Sequence, residues 1–371
     1  MPQFYPLSVT AIKKTTRNAA VVSLQPANEG AFRFTPGQYL TFRRDFEGSE
    51  LRRAYSICAG SHEGLLQVGI KQVAGGVFST WANRQLKVGD RLDAMPPLGS
   101  FYAKTRAALP HILAFAAGSG ITPILSIIKT ELAIQPNARV TLVYANRNPS
   151  TVMFREELED LKNRYLSRLS IVHILSEGRQ DIALFSGRID AEKCAALFDH
   201  WIDLPSVTTA YICGPEGMMH CVAASLEAQG LEKVQIRMEF FALSHQSHGA
   251  QSGQSSQKDQ SGQAEKQPEA AATPEPGVPG RVVLGGETRS LVISPNQSLL
   301  NAALAAGLDA PYACKAGLCA TCKAKVLEGD VKMLANYALE DEEIEAGFVL
   351  TCQCVPVSSK GVVWDYDQVG S

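Results

Sequence analysis

Long apolar runs are missing from this sequence, and so is any large excess of charge. The longest stretch without a charged residue, Ala107 to Ile128, has the length of a membrane span, but Pro110, Gly118, Gly120 and Pro123 interrupt it. It reads better as a buried strand, a glycine turn and a helix start, so no membrane partner is expected. Met1-Pro2-Gln3-Phe4 carries neither the basic nor the apolar region of a secretory leader, and a cytoplasmic protein is expected. Net charge is −2 and the pI about 6.4, so no global basic field points to nucleic acid. Neither H-E-x-x-H nor G-x-S-x-G occurs, and the G-x-G-x-x-G form of the dinucleotide fingerprint is absent. No paired Glu-x-x-His motifs occur either, so the chain brings no di-iron carboxylate site of its own.

One absence is local. Between Ser244 and Pro279 there is no Phe, Trp or Tyr, and Val278 is the only large aliphatic residue. Such a segment cannot bury enough apolar surface to offset the entropy of ordering, so a flexible linker is expected over 244–279. As a coil it would reach roughly 30–36 Å. The chain ahead of it carries a net +4 (26 basic against 22 acidic residues), and the chain after it −4 (7 against 11). Opposite signs suit a tethered module that docks and undocks.

What is present divides by texture. Short β-rich runs (Leu7–Ile12, Ala20–Leu24, Tyr39–Phe42, Leu65–Lys71), punctuated by Gly and Pro, predict an antiparallel barrel or sandwich. From His111 onward strands alternate with helical patterns: Ile112–Ala116 before a helix from about Thr122, Val140–Ala145 before Phe154–Asn163, Ala210–Cys213 before Glu216–Ala228. That alternation predicts a parallel sheet covered by helices on both faces. After the linker come two β-like runs, Arg281–Leu284 and Arg289–Ile293, then a helical stretch, Leu299–Ala306, and a cysteine-rich loop. The expected domains are 1–106, 107–243 and 280–371.

Nine cysteines in a cytoplasmic chain suggest thiols or metal ligands. Cys314-x4-Cys319-x2-Cys322, with Cys352 after 29 residues, is the spacing of four thiolates around a plant-type [2Fe–2S] cluster. Ala316, Gly317, Ala320 and Thr321 are small enough to let backbone N–H groups approach the sulfurs. A Cys₄ zinc site uses the same ligands, but zinc ribbons pair two C-x2-C knuckles and only one is present. Cys354 competes with Cys352 as fourth ligand; the Leu-x-Cys-Gln setting favours Cys352.

Arg53-Ala54-Tyr55-Ser56, where a strand should end, joins an Arg suited to a pyrophosphate, a Tyr suited to stacking on a flat ring and a Ser suited to a ring nitrogen. About twenty residues on, Gly75 and Gly76 turn into a helix start carrying Ser79, a phosphate cradle. As an isolated match R-x-Y-S would be a surface strand; the two together point to a flavin. Gly118-Ser119-Gly120-Ile121-Thr122-Pro123 follows a buried strand and opens a helix, with Thr122 expected as N-cap, and suits the phosphates of a nicotinamide nucleotide. Cys213-Gly214-Pro215 forms a second such turn. Arg147, at the end of the intervening strand, suits the 2′-phosphate of NADPH; read as a surface residue it leaves NADH equally open.

In the order R-x-Y-S, G-S-G-I-T-P, C-G-P and ferredoxin cysteines, the chain resembles the ferredoxin–NADP⁺ reductase superfamily in its arrangement with a C-terminal plant-type ferredoxin domain. Leu51–Cys58, Asn146-Arg147 with Met153-Phe154-Arg155, Pro311–Gly317 and Asn336–Leu339 bring it nearest to reductase subunits of ring-epoxidising di-iron oxygenases. The resemblance implies a FAD-binding β-barrel, an NAD(P)H-binding α/β domain and an α+β β-grasp ferredoxin domain. It implies that Arg53, Ala54, Tyr55, Ser56, Gly75, Gly76, Ser79 and Phe241 bind FAD. Gly118, Gly120, Thr122, Gly214 and Pro215 would bind the nicotinamide nucleotide. Ser56, Cys213 and Glu239 would serve hydride transfer, and Cys314, Cys319, Cys322 and Cys352 the cluster. Phe240 follows the Glu in place of a basic residue, one departure from the pattern the resemblance implies. A di-iron oxygenase complex would then be the electron acceptor, with Glu340–Glu345 either steering it or forming a solvated helix face. Service to another oxygenase, a desaturase or a hybrid-cluster protein keeps the same chemistry. A non-catalytic electron carrier or redox sensor is the reading of another class, opposed by the intact motifs.

Overall fold

Alternating burial begins at once: Leu7 and Val9 point inward from a strand whose other residues are wetter, and the pattern repeats through the first hundred residues. The structure, a computed structural model, describes residues 3–103, 107–178, 180–241 and 277–370. Strands β1 (Tyr5–Thr16), β2 (Ala19–Pro26), β3 (Tyr39–Phe46), β4 (Ser49–Ser56), β5 (Leu66–Lys71) and β6 (Arg91–Ala94) form one antiparallel sheet, ordered β4-β3-β6-β1-β2-β5. Its edge strands meet at an Ile57–Val68 bridge, which closes the expected barrel. Leu7, Leu40, Phe42, Ile57 and Val68 fill the barrel. Helix α1 (Val77–Arg84) starts at Gly76 and pushes Phe78 and Trp81 into the same core.

The second unit is an all-parallel sheet ordered β11-β10-β7-β8-β9, from β7 (His111–Ala117), β8 (Arg139–Asn146), β9 (Leu169–Leu175), β10 (Thr209–Cys213) and β11 (Ile236–Glu239). Its central strands read as continuous apolar runs because both faces are covered. Helices α2 (Ile121–Ile134) and α3 (Arg155–Arg164) pack on one face. On the other lie α4 (Ala191–His200) and α5 (Glu216–Ala228). The chain leaves β7 toward β8 on one side and returns to β10 on the other. The carboxyl ends of β7 and β10 therefore sit together at the point where strand order reverses, a place for ligands in such sheets.

The last unit is a mixed sheet, ordered β13-β12-β18-β14-β16, from β12 (Val278–Leu284), β13 (Glu287–Ile293), β14 (Lys323–Glu328), β16 (Phe348–Leu350) and β18 (Val362–Asp365). Only β12 and β18 are parallel. Strands β15 (Val331–Met333) and β17 (Cys354–Pro356) form a separate pair. Helix α6 (Leu299–Ala305) packs Leu299, Leu300 and Ala303 against fully buried Trp364, giving the expected α+β domain. A short helix, α7 (Asp341–Glu345), carries the acidic run.

Most of the stretch read as a linker lies outside the described residues, and β12 already begins at its penultimate residue, Val278. Among the described residues no helix is long and apolar enough to cross a membrane. Thr122 is not an N-cap. A tight turn over Gly118–Gly120 brings the chain into helical geometry early, so α2 begins at Ile121 with Gly120 as cap. The Thr122 hydroxyl instead donates to the Ser119 carbonyl (3.0 Å).

Candidate electron-transfer site

Strand β4 ends at a cavity of about 500 Å³ with walls from all three folded units. From the barrel come Arg53, Ala54, Tyr55, Ser56, Gly76 and Ser79; from the parallel-sheet unit Thr122, Glu239 and Phe241; from the last unit Cys314 and Cys319. Arg53 is exposed and pairs with no carboxylate among the described residues, so its charge is free for an anion. Gly76 caps α1, and a Cβ there would fall 2.6 Å from Ser79 Oγ, so any side chain would displace the Ser79 hydroxyl from the turn. Ser79 Oγ accepts from the Val73 N–H (3.1 Å) and donates to the Gly76 carbonyl (3.3 Å), fixing the cradle. Gly75 lies off the cavity wall; its φ of +71° makes the turn that presents Gly76. A flat ring and a phosphate chain fit these residues: Tyr55 and Phe241 supply aromatic faces, Arg53 and the α1 N-terminus supply positive charge.

Ser56 donates to Glu239 Oε2 (3.4 Å) across the boundary between the first two units. Burial pushes the Glu239 carboxyl up to about 8, more than the Ser56 hydrogen bond lowers it, so it is protonated at neutral pH. Cys213 lines neither cavity. Its thiol is fully buried at the end of β10, and burial together with Glu239 holds it well above the usual thiol range.

A larger cleft of about 750 Å³ opens at the switch point, lined by Gly118, Gly120, Asn146, Arg147, Gly214 and Pro215, with Phe241 at the border of the two spaces. A Cβ on Gly120 would fall 2.1 Å from the Cys213 carbonyl oxygen; the two turns touch through that missing side chain. Thr122 faces the smaller cavity rather than the cleft. Among the described residues both amide atoms of buried Asn146 lack a hydrogen-bond partner of good geometry, and the nearby Tyr144 hydroxyl donates to the Gly118 carbonyl (3.0 Å). A buried amide without partners facing a cleft suits a polar ligand.

The four motif cysteines stand as two pairs. Cys319 Sγ donates to Cys314 Sγ at 3.2 Å, and Cys322 and Cys352 form the second pair. Among the described residues no three His, Cys, Asp or Glu side chains converge on one point. Two-plus-two pairing fits two irons bridged by sulfide and not one zinc held by four thiolates. The Cys319 thiol hydrogen bond first, and then the Ala316 and Leu318 N–H groups that aim at Cys314 Sγ (3.4 Å each), draw the Cys314 thiol down to about 6 against its burial. Gly317 turns the loop at φ +75°, where a Cβ would meet the Ala335 carbonyl at 2.9 Å. Cys354 sits apart on β17 opposite Met333, its thiol pushed up to about 12 by burial, in the domain core.

Sequence reasoning missed several residues here. Lys71, at the end of β5, borders both cavities, and burial followed by the Arg147 charge lowers its pKa. The Tyr39 hydroxyl shares a 3.2 Å hydrogen bond with Thr321 Oγ1, and the ring packs on Ala313 and Cys319. Phe240, which the sequence singled out only as a departure after Glu239, packs its ring at 5.0 Å and a 55° tilt against Tyr337 of the cluster domain. No local periodicity marks such residues, because their partners lie far along the chain.

Comparison with known proteins agrees with this geometry. Residues 6–102 match the oxidoreductase FAD-binding domain, 115–224 the oxidoreductase NAD-binding domain and 282–357 the 2Fe-2S iron-sulfur cluster binding domain. A component of the 1,2-phenylacetyl-CoA epoxidase of Escherichia coli (strain K12) is 40% identical over 100% of this chain and 99% of its own. The ferredoxin reductase component of the 3-ketosteroid-9-alpha-monooxygenase of Rhodococcus rhodochrous is 33% identical over 95% of this chain and 94% of its own. Phthalate dioxygenase reductase, a modular structure for electron transfer from pyridine nucleotides to [2Fe-2S], has the same fold with a TM-score of 0.58 at 22% identity, covering 98% of both chains. Full-length similarity to these proteins, together with the flavin, nucleotide and cluster domains in one chain, establishes that this protein belongs to the family of NAD(P)H-dependent iron–sulfur flavoprotein reductases of oxygenase systems.

Proposed function

We propose that this chain takes hydride from a nicotinamide nucleotide, NADPH in preference to NADH, and delivers electrons to a cytoplasmic di-iron oxygenase that epoxidises phenylacetyl-CoA in phenylacetate degradation. The observation that carries this reading is the cavity shared by the R-x-Y-S strand, Glu239 and the two thiols Cys314 and Cys319. It gives a flavin and an outlet for its electrons a common wall. Full-length identity to the E. coli epoxidase component supports the choice of acceptor. The domains are taken as 1–106 for FAD, 107–243 for the nucleotide and 280–371 for the cluster, joined through 244–279.

Bound FAD would convert a hydride into electrons passed on singly, a step neither a nicotinamide nor an iron–sulfur cluster makes alone. In this reading Arg53 and the backbone at Gly76 hold its phosphates, and Tyr55 covers a ring face. Ser56 orients the reacting edge, and the neutral Glu239 carboxyl offers a hydrogen-bond donor there without adding negative charge. Gly118 and Gly120 let the dinucleotide backbone approach the start of α2, with Gly214 and Pro215 opposite. Cys213 keeps the floor beneath apolar and dry. Arg147 faces the cleft beside Arg188, supporting a 2′-phosphate.

The test combines purified chain, purified phenylacetyl-CoA oxygenase, substrate and either nucleotide, with the CoA product followed by chromatography. Epoxide formation that requires this chain and prefers NADPH is expected. Unchanged phenylacetyl-CoA, while an artificial acceptor is reduced, would leave the reductase standing and assign it to another oxygenase.

A further inference from the structure

Arg52 is buried to 4% exposure although it carries a full charge, and it does not face the flavin cavity. Its guanidinium donates from Nε to Glu50 Oε1 (2.8 Å) on its own strand and from Nη2 to Asp309 Oδ1 (2.6 Å) in the cluster domain. Nη1 reaches the Ala310 carbonyl at 3.5 Å. The same plane lies over the Tyr312 ring at 4.3 Å and the Phe4 ring at 5.0 Å. Asp309, Ala310 and Tyr312 lie on the segment that leads from α6 into the first cysteine, Cys314. Arg52 is followed on β4 by Arg53, Ala54, Tyr55 and Ser56, which wall the cavity. One strand thus holds the flavin-site motif and grips the chain leading to a cluster ligand.

We propose that Arg52 is a positioning residue for internal electron transfer: it clamps the 309–314 segment so that Cys314 stays in the wall of the flavin cavity. The inference rests on the reductase reading above. Desolvating a guanidinium is compensated only if all its partners are present, so the clamp is specific for the docked arrangement. Both carboxylate partners remain solvent-accessible, Glu50 at 40% and Asp309 at 44%, so salt competes for the clamp while leaving the apolar contacts in place. The linker expected from composition over 244–279 and the opposite charges of the chain on either side of it give the clamp a purpose: it holds the module for loading and yields when the module must move. A lysine cannot replace it, because the fork and the stacking plane both require a guanidinium.

The experiment uses full-length holoprotein, wild type and the variants Arg52→Lys and Asp309→Asn, mixed anaerobically with NADPH in a stopped-flow instrument. Flavin and cluster bleaching are followed separately, and amide hydrogen exchange is read over 309–314. Asp309 is half-exposed, so its variant keeps the fold even where an Arg52 variant does not. Expected are unchanged flavin bleaching and cluster bleaching slowed about tenfold or more, as for loss of charge-assisted hydrogen bonds from a docking equilibrium. Faster exchange over 309–314 and a salt-induced slowing in wild type alone complete the expectation. Cluster bleaching at the wild-type rate with unchanged exchange overturns the proposal, and so does a parallel loss of both bleaching phases. Failure of the wild-type cluster to bleach at all would instead remove the reductase reading beneath it.

Discussion

The nucleotide cleft and the flavin cavity adjoin, yet they are built differently. The cleft, about 750 Å³, is lined almost wholly by turns at the carboxyl ends of one parallel sheet. The cavity, about 500 Å³, has no owner: the barrel supplies one wall, Glu239 and Phe241 another, Cys314 and Cys319 a third. A site of the first kind survives as long as its own domain folds. A site of the second kind exists only while three units stay docked, through polar and aromatic contacts such as Tyr39 with Thr321, Arg237 with Glu340 and Phe240 with Tyr337, and through apolar ones such as Leu318 buried against the parallel-sheet unit.

The comparison breaks most severely at the cysteines. Cys322→Ser is expected to abolish nicotinamide-driven reduction of an acceptor that takes electrons from the cluster. Reduction of ferricyanide directly from the flavin should continue at the wild-type rate, since the cleft and barrel are untouched. Cys354→Ser should leave iron content and both activities unchanged, because that thiol sits in the core away from the two pairs. The next effect falls on the cleft. Gly120→Ala must push the turn away from Cys213, and we expect about 1–3 kcal/mol of destabilisation by thermal melting. The KM for nicotinamide nucleotide should rise in the same variant. Arg147→Ala should be silent in a melt and raise the KM for NADPH roughly tenfold, the size of a lost charge-assisted hydrogen bond, with the NADH value little changed.

The smallest effect is one of pH. Burial raises the Glu239 carboxyl to about 8, so the native protein keeps a proton there that the unfolded chain releases in the ordinary carboxylate range. Its contribution to stability is therefore full at acid pH and is lost as pH rises through about 8. In the proposed reading the same ionisation puts negative charge beside the path of the hydride. Flavin bleaching by NADPH should slow a few-fold above pH 8, as expected for one unfavourable charge near the reaction. Glu239→Gln should flatten that limb; an unchanged profile would deny the carboxyl this role.

What could be read from the sequence follows the same division. Strands and turns of the cleft announce themselves because glycine, proline and apolar runs are local features: β7, β8, β10 and α5 lie where the pattern put them. The cysteine spacing was legible for the same reason. Within the shared cavity the barrel motif, Glu239, Phe241 and the two cysteines were legible, but not the contacts that hold the three walls together. Arg52 and Tyr39 looked like ordinary strand residues, since their partners Asp309 and Thr321 stand more than 250 positions away. Lys71 ends a strand and gave no sign that two cavities meet beside it. Thr122 misled for a subtler reason: a good capping residue was outcompeted by a glycine turn that had already entered helical geometry.

The most direct test of the shared cavity is an anaerobic titration of the purified full-length protein with NADPH, followed by visible absorbance. Flavin bands and the broad absorbance of a [2Fe–2S] centre should both be present at the outset and both bleach, without any added mediator. A colourless protein loaded with zinc, or a flavin that bleaches beside a permanently oxidised cluster, would contradict the account.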